Sequence, residues 1–239
     1  MSSNNRYKID TSGRLVDLLE HCATSSARPF HFFIAWGGVP TLVFSGFSEE
    51  LWALKSSLNE QDWGLNDENP GSRWPKISLG AKNDDHKISV EQLKVLRAVC
   101  EEYSDALKDI RPLHIDVLRF SYFLCRSHER MLFSQQVALF KRSEASVTND
   151  ESRALVRDVL APFYEDDLHA YLAKVNMPGH NISYYRDTHL EPSLVAPFGN
   201  SLAINSVIDK FVEAVNEVLP GTYSWFKPAS RHMTIRALV

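Results

Sequence analysis

The sequence predicts an α+β fold, with helices lying outside largely antiparallel sheets, on three observations. Strand-like and helix-like segments interleave along the chain, yet neighbouring strands are joined by short turns of the hairpin kind. The helical segments carry an apolar stripe on one side and charges on the other, as elements lying against a sheet do. A strand–helix–strand pattern also occurs twice, with strands near 32–36 and 193–196, helices near 48–58 and 203–219, and closing strands around Lys76 and His232. The expectation is therefore one bilobal domain over residues 1–239 with a pseudo-two-fold relation between its lobes. The lobes fall near 14–112 and 180–239, with central strands and helices over 113–179.

Taken in order, residues 1–13 are polar and expected to be mobile, and 15–22 form a short helix. Residues 30–36 and 41–44 are apolar, aromatic and β-branched, and Gly37-Gly38-Val39-Pro40 between them is turn chemistry, so they read as a hairpin. Residues 59–72 are a polar loop that delivers the chain into the Lys76 strand, and Asn83-Asp84-Asp85 is a second loop. Ser89 caps an amphipathic helix in which Leu93, Leu96, Val99 and Tyr103 recur at three- and four-residue steps. Residues 113–125 and 131–140 are strands, and the polar 126–130 between them predicts another hairpin. Residues 143–150 are a loop. Helices follow over 150–163, with an acidic start, and over 166–175. Residues 177–181 break the pattern and 182–195 are less regular. A long helix spans 202–219, Pro220-Gly221 ends it, and the His232 strand closes the sequence.

Composition narrows the functional classes. With 44% hydrophobic and 23% charged residues, the chain reads as an ordinary soluble globular protein. The 26 basic and 30 acidic residues leave a net charge of −4, so no global positive field attracts nucleic acid, and any polyanion site must be a local pocket. No apolar run approaches the roughly 18 residues that span a bilayer, and the first residues lack the basic-then-apolar pattern of a signal peptide. Cys22, Cys100 and Cys125 are odd in number and widely spaced, which predicts reduced thiols in a cytoplasmic compartment. The sequence holds no metal-ligand spacing such as His-Glu-x-x-His, no Gly-x-Gly-x-x-Gly, no P-loop and no Gly-x-Ser-x-Gly. No metal and no cofactor are expected.

The chemistry concentrates at two strands. In Ser230-Arg231-His232-Met233-Thr234-Ile235-Arg236, His232 and Thr234 share a face of the pleat. An imidazole and a hydroxyl side by side can exchange a proton and hold an anion. Ser72-Arg73-Trp74-Pro75-Lys76-Ile77-Ser78-Leu79-Gly80-Ala81 aligns with this stretch, placing Lys76 opposite His232 and Ser78 opposite Thr234. Arg236 falls on the His232 face and is read as an anion ligand. Trp74 falls on the Lys76 face, where its ring can stack on a base. Arg73 and Arg231 alternate away, toward the surface. His31, His114, His180 and His189 compete as a partner imidazole, and His189 is the strongest of them because it precedes the strand expected beside that of His232.

Strands bearing His-x-Thr or His-x-Ser at the end of each of two lobes resemble the two-histidine phosphoesterases, the superfamily of 2′,5′ RNA ligase-like proteins and cyclic nucleotide phosphodiesterases. Arg231-His232-Met233-Thr234-Ile235 is similar to its second motif. Pro75-Lys76-Ile77-Ser78-Leu79-Gly80 resembles its first, Pro-His-x-Thr-Leu-Gly, with lysine where the histidine belongs. The resemblance implies a central cleft in which the two motifs face each other. It implies two imidazoles acting as acid and base on a phosphodiester, and hydroxyls holding the non-bridging oxygens. A lysine of ordinary pKa, about 10.4, is a cation at pH 7; it suits an acid or a charge stabiliser, and serves as a base only if burial lowers its pKa to near neutral.

The leading expectation is a metal-independent phosphodiesterase acting on a small cyclic phosphate, a nucleotide or an RNA end. His232 is its acid/base, Lys76 its charge stabiliser, and Ser78, Thr234, Arg236 and Trp74 its ligand-binding residues. The alternatives are a non-catalytic phosphate or nucleotide binder of the same fold, and an enzyme of different chemistry with Lys76 as base or nucleophile.

Overall fold

The computed structural model describes residues 14–60, 63–139, 146–198 and 201–238. The expectation for residues 1–13, Phe140 of the second central strand and part of the 143–150 loop lie outside them. Within the described residues the chain is α+β, with seven α-helices and sheets whose strand pairs are all antiparallel.

The first half opens with α1 (Arg14–Glu20) and β1 (Ser25–Ala27). The aromatic run forms β2 (Pro29–Ala35), which turns through a 3-10 turn at Trp36–Gly38 into β3 (Val39–Phe44). Gly37 is needed in that turn: its φ is +71°, and a Cβ there would sit 2.4 Å from the Cβ of His180. After α2 (Glu49–Glu60) the polar loop returns the chain to β4 (Lys76–Ser78), which pairs with β3 as Val43↔Lys76 and Thr41↔Ser78. The order of this sheet is β2-β3-β4, leaving β4 at its edge. The single strand expected here breaks after Ser78. β5 (Gly80–Lys82) follows, pairing elsewhere, and α3 (Val90–Asp105) then starts at Ser89 with a complete Ser89/Gln92 capping box.

The expected 113–125 strand also divides. β6 (Leu113–Ile115) pairs with β1, while β7 (Val117–Phe123) and β8 (Met131–Ala138) form the expected hairpin. Helices α4 (Asp150–Tyr164) and α5 (Leu168–Val175) follow, capped by Asn149 and Asp167. The irregular stretch resolves into α6 (Ile182–Arg186) and β9 (Glu191–Pro197), and α7 (Leu202–Val218) is the long helix. β10 (Tyr223–Trp225), which the sequence reading missed, pairs with β5; a Cβ on Gly80 there would meet the Ser224 carbonyl oxygen at 2.8 Å. β11 (His232–Ala237) completes a sheet of order β11-β9-β7-β8 and lies at its edge.

The core joins both sheets to the helices. α3 packs on β2 and α7 on α3, and Phe211 of α7 stacks on Phe32 at 4.3 Å between centroids. Phe32, Phe33, Leu42, Ile77, Phe120, Leu194, Met233 and Ile235 are all but fully buried. In β4 and β11 these apolar residues alternate with Lys76, Ser78, His232 and Thr234, so burying one face of each strand turns the polar pair on each outward. The two edge strands β4 and β11 pack against one another. None of the described helices is long and apolar enough to cross a membrane.

Candidate functional site

Where β4 meets β11, Lys76, Ser78, His232 and Thr234 line a single cavity of about 130 Å³. Water's share of liquid volume is about 30 Å³, so the space holds a few waters or one phosphoryl-sized group. Arg126 and Ser127 from the β7–β8 turn, and Tyr185 of α6, close the cavity. No Asp or Glu is among its lining residues. Lys76 and Arg126 therefore share this lining with no carboxylate.

The seam between the two edge strands is held by a buried ion pair. Lys55 of α2 pairs with Glu68 and donates to the Ile235 carbonyl at 2.6 Å and the Ser72 carbonyl at 3.0 Å. Ile235 is the extra residue of a β-bulge, since β11 pairs with β9 as Thr234↔Val195 and then Arg236↔Leu194. The lysine thus satisfies a bulge carbonyl and ties β11 to the loop leading into β4.

That bulge corrects the expectation for Arg236. One inserted residue rotates everything after it to the opposite face. Arg236 is buried, donating to Asn59 Oδ1 at 2.9 Å and to the carbonyls of Ala237, at 2.9 Å, and Asn66. It lines a separate cavity beside Trp63 and Glu68 rather than the one shared by Lys76 and His232. Arg231, expected at the surface, is buried as well; its guanidinium donates to Asn205 Oδ1 at 2.7 Å and Asp209 Oδ1 at 2.8 Å, anchoring β11 to α7. Trp74 does lie on the Lys76 side, but the Lys76 ammonium sits 3.9 Å from its ring centroid. One face of the indole is thus covered by a cation.

Electrostatics differ sharply across the cavity. Burial, with Lys55 nearby, lowers the Lys76 amine to a pKa of about 7. Its ammonium donates to the Gly71 carbonyl. Burial also lowers His232 to about 4; the Ser230 carbonyl opposes this, while Arg119 and Lys76 add to it. The Nδ1 of His232 is 2.7 Å from that carbonyl, which assigns the proton to Nδ1 and leaves Nε2 as the free acceptor. Tyr185, hydrogen-bonded to Ser78, is raised well above the usual phenol range by burial.

The imidazole nearest His232 is none of the four weighed from the sequence. His128, at the tip of the β7–β8 turn with φ +57°, stacks on His232 at 3.7 Å and lies tilted against Phe123 at 4.0 Å. Burial and the His232 and Arg119 charges push it far below the usual imidazole range. His180 lines a second chamber that also contains Lys76 and Ser78, and burial, Lys76 and Arg126 lower its pKa. His189 precedes β9 as expected, with Nε2 2.6 Å from Glu191 and 3.0 Å from Arg126 Nη2, but it does not line the Lys76–His232 cavity. His31 packs against Phe163 and Tyr164, and His114 is exposed on β6.

Arg126, Tyr185, His128 and Lys55 carry no motif. The only available signal was position, since Arg126 and His128 lie in the one hairpin turn of the central strands. Among the described residues no group of three His, Cys, Asp or Glu side chains is placed to hold a metal ion, and the three thiols are free. No family model, no curated protein and no solved structure matches this chain.

Proposed function

We propose that the protein is a phosphodiesterase of the two-histidine kind, using side-chain acid–base chemistry on a small cyclic phosphate, a nucleotide or an RNA end. The observation that carries this is the convergence of Lys76, Arg126 and His232 with the Ser78 and Thr234 hydroxyls on one cavity lacking any carboxylate. On this reading the 32–36 strand, α2 and β4, and the 193–196 strand, α7 and β11, are the two halves of a pseudo-two-fold repeat. The halves differ in pairing: β11 pairs with its opening strand at Pro197↔His232, whereas β4 pairs with β3 at Val43↔Lys76 and is separated by it from β2.

The chemistry follows from the two pKa values. His232 is neutral at pH 7, with Nε2 free to take a proton from an attacking water. As the water oxygen bonds to phosphorus, the ester P–O bond breaks, and Lys76, close to half protonated at neutral pH, gives its proton to the leaving oxygen. Arg126 and the two hydroxyls hold the non-bridging oxygens, whose charge grows in the transition state. The products are a phosphomonoester and an alcohol, and the protons on His232 and Lys76 re-equilibrate with solvent.

A second reading, binding without turnover, is favoured by the low pKa of His232, since a base so weak abstracts a proton slowly. The two separate on incubation with 2′,3′-cyclic nucleotides and bis(4-nitrophenyl) phosphate in EDTA. Hydrolysis with a loss of about 10²-fold or more in His232→Ala supports the enzyme. Thermal stabilisation by the same compounds with no phosphomonoester released supports the binder. Turnover unchanged in His232→Ala removes this site from the chemistry.

A further inference from the structure

We propose that the chamber adjoining the anion cavity docks an aromatic ring carried by the same ligand, so that the preferred ligands are aryl phosphate esters. This rests on the anion-binding part of the reading above and departs from its nucleotide ligands in favour of a plain ring. The chamber, of about 340 Å³, shares Gly71, Trp74, Lys76, Ser78 and Tyr185 with the anion cavity, so the two are continuous. Beyond that common wall it is bounded by Trp36 and Val39 of the first hairpin, Leu155 and Val159 one turn apart on α4, and His180.

The wall chemistry selects the occupant. Away from the Lys76 end the wall is mostly apolar, and its polar side chains are Thr41, Arg73 and His180. Thr41 Oγ1 already donates to the Val39 carbonyl at 2.9 Å, which leaves the Arg73 guanidinium at an exposed rim and the His180 ring. These are too few to pair the whole edge of a purine or pyrimidine, whereas a plain ring asks for no partner. Trp36, Trp74 and Tyr185 line the chamber, Lys174 covering one face of Trp36 and Lys76 one face of Trp74, and contact with the remaining ring faces and edges suits an aromatic group over an alkyl chain.

The opposite flank fixes the orientation. A third cavity, of about 170 Å³, shares Gly71, Arg126, His232 and Thr234 with the anion cavity and presents Glu191 and Ser193. Ser193 is 4% exposed and its hydroxyl has no hydrogen-bond partner. An aromatic ring on that side would offer nothing to the unpartnered Ser193 hydroxyl and would strip water from the Glu191 carboxylate, whose partner is His189. The ring therefore enters from the Trp36 side, and any second ester group, being polar, lies toward Glu191.

The test is calorimetric titration at pH 6.5 with inorganic phosphate, phenyl phosphate and uridine 5′-monophosphate, on the unmodified protein and on Val159→Glu and Trp36→Ala. Phenyl phosphate should bind at least tenfold more tightly than inorganic phosphate, and more tightly than the nucleotide. Both substitutions should remove that gain while inorganic phosphate stays within twofold, which also shows that each variant folds. If inorganic phosphate binds and the phenyl group adds nothing, the inference fails while the anion site stands. It fails likewise if the gain survives both substitutions, or if the nucleotide binds tenfold better than phenyl phosphate. If no anion binds at all, the reading beneath it fails first.

Discussion

The imidazole of His128 lies flat on that of His232, with centroids 3.7 Å apart and planes 11° from parallel. Two rings so placed cannot both be positively charged without direct repulsion. Arg119 acts on both and Lys76 on His232, and each of these cations disfavours a charged imidazole. The stack therefore holds His232 neutral, and the His128 turn, strained into a left-handed backbone, acts as its cover.

Removing the cover should raise the His232 pKa from about 4 toward the ordinary imidazole value, and NMR titration of His128→Ala against the unmodified protein measures this. The same shift sets a stability slope. As pH falls below about 6.5 the unfolded chain binds protons that folded His232 and His128 refuse. Stability should therefore fall between pH 6.5 and 4, and continue falling for His128. Urea midpoints across that range should show a slope that flattens in the His128→Gln/His232→Gln double variant; an unchanged slope would count against the stacked pair.

Lys76 predicts the opposite edge of the pH range. An anion binds the ammonium form, and the amine loses its proton above about pH 7. Sulfate, which does not titrate here, should therefore weaken about tenfold per pH unit above 7. Lys76→Arg should abolish that dependence while binding persists, and Lys76→Met should weaken sulfate at least tenfold at pH 6. Turnover, if Lys76 is the acid that protonates the leaving group, should be lost in both variants. Isothermal calorimetry over pH 6–9 reads the binding terms.

Glu68 and Lys55 form a buried pair with side chains 8% and 3% exposed. Burial works against both charged forms, but Lys55 and the hydrogen bonds from Asn59 and Ser72 hold Glu68 below its ordinary pKa. Glu68→Ala leaves Lys55 buried without a countercharge, and should cost about 3–5 kcal/mol. Its signature is a lower urea midpoint, with anion binding weakened because the β4–β11 seam loosens.

Gly37→Ala places a methyl group where the backbone φ is +71° and His180 is already in contact. The left-handed conformation alone should cost about 1–2 kcal/mol, and the clash adds to it. A fall in melting temperature, with the His180 ring resonances shifted, is the expected outcome. No change would mean that the turn and His180 are not packed together.

Local chemistry made most elements legible. Ser89 and the recurrence of Leu93, Leu96 and Val99 mark α3, and the aromatic run from Phe30 to Trp36 with its glycine turn marks the first hairpin. The pairing of Lys76 with Ser78, and of His232 with Thr234, on single strand faces was legible because a strand alternates. Illegible were the breaks after Ser78 and Ile115, and the three-residue β10, because such short pieces become strands only through the partner they find. Arg236 was misplaced because a bulge at Ile235 is invisible in residue spacing and is stabilised by Lys55, 180 positions away in the chain.

The amino-acid order by itself therefore determined which side chains each strand presents and which face it buries, since backbone geometry and the aversion of apolar groups to water act within a few residues. Only the tertiary structure decided that β4 and β11, from different sheets, pack together and that Arg126, Tyr185 and His128 close over them. It also lowered a lysine to near neutral, because desolvation and the field of neighbouring charges depend on distances between segments that the sequence leaves far apart.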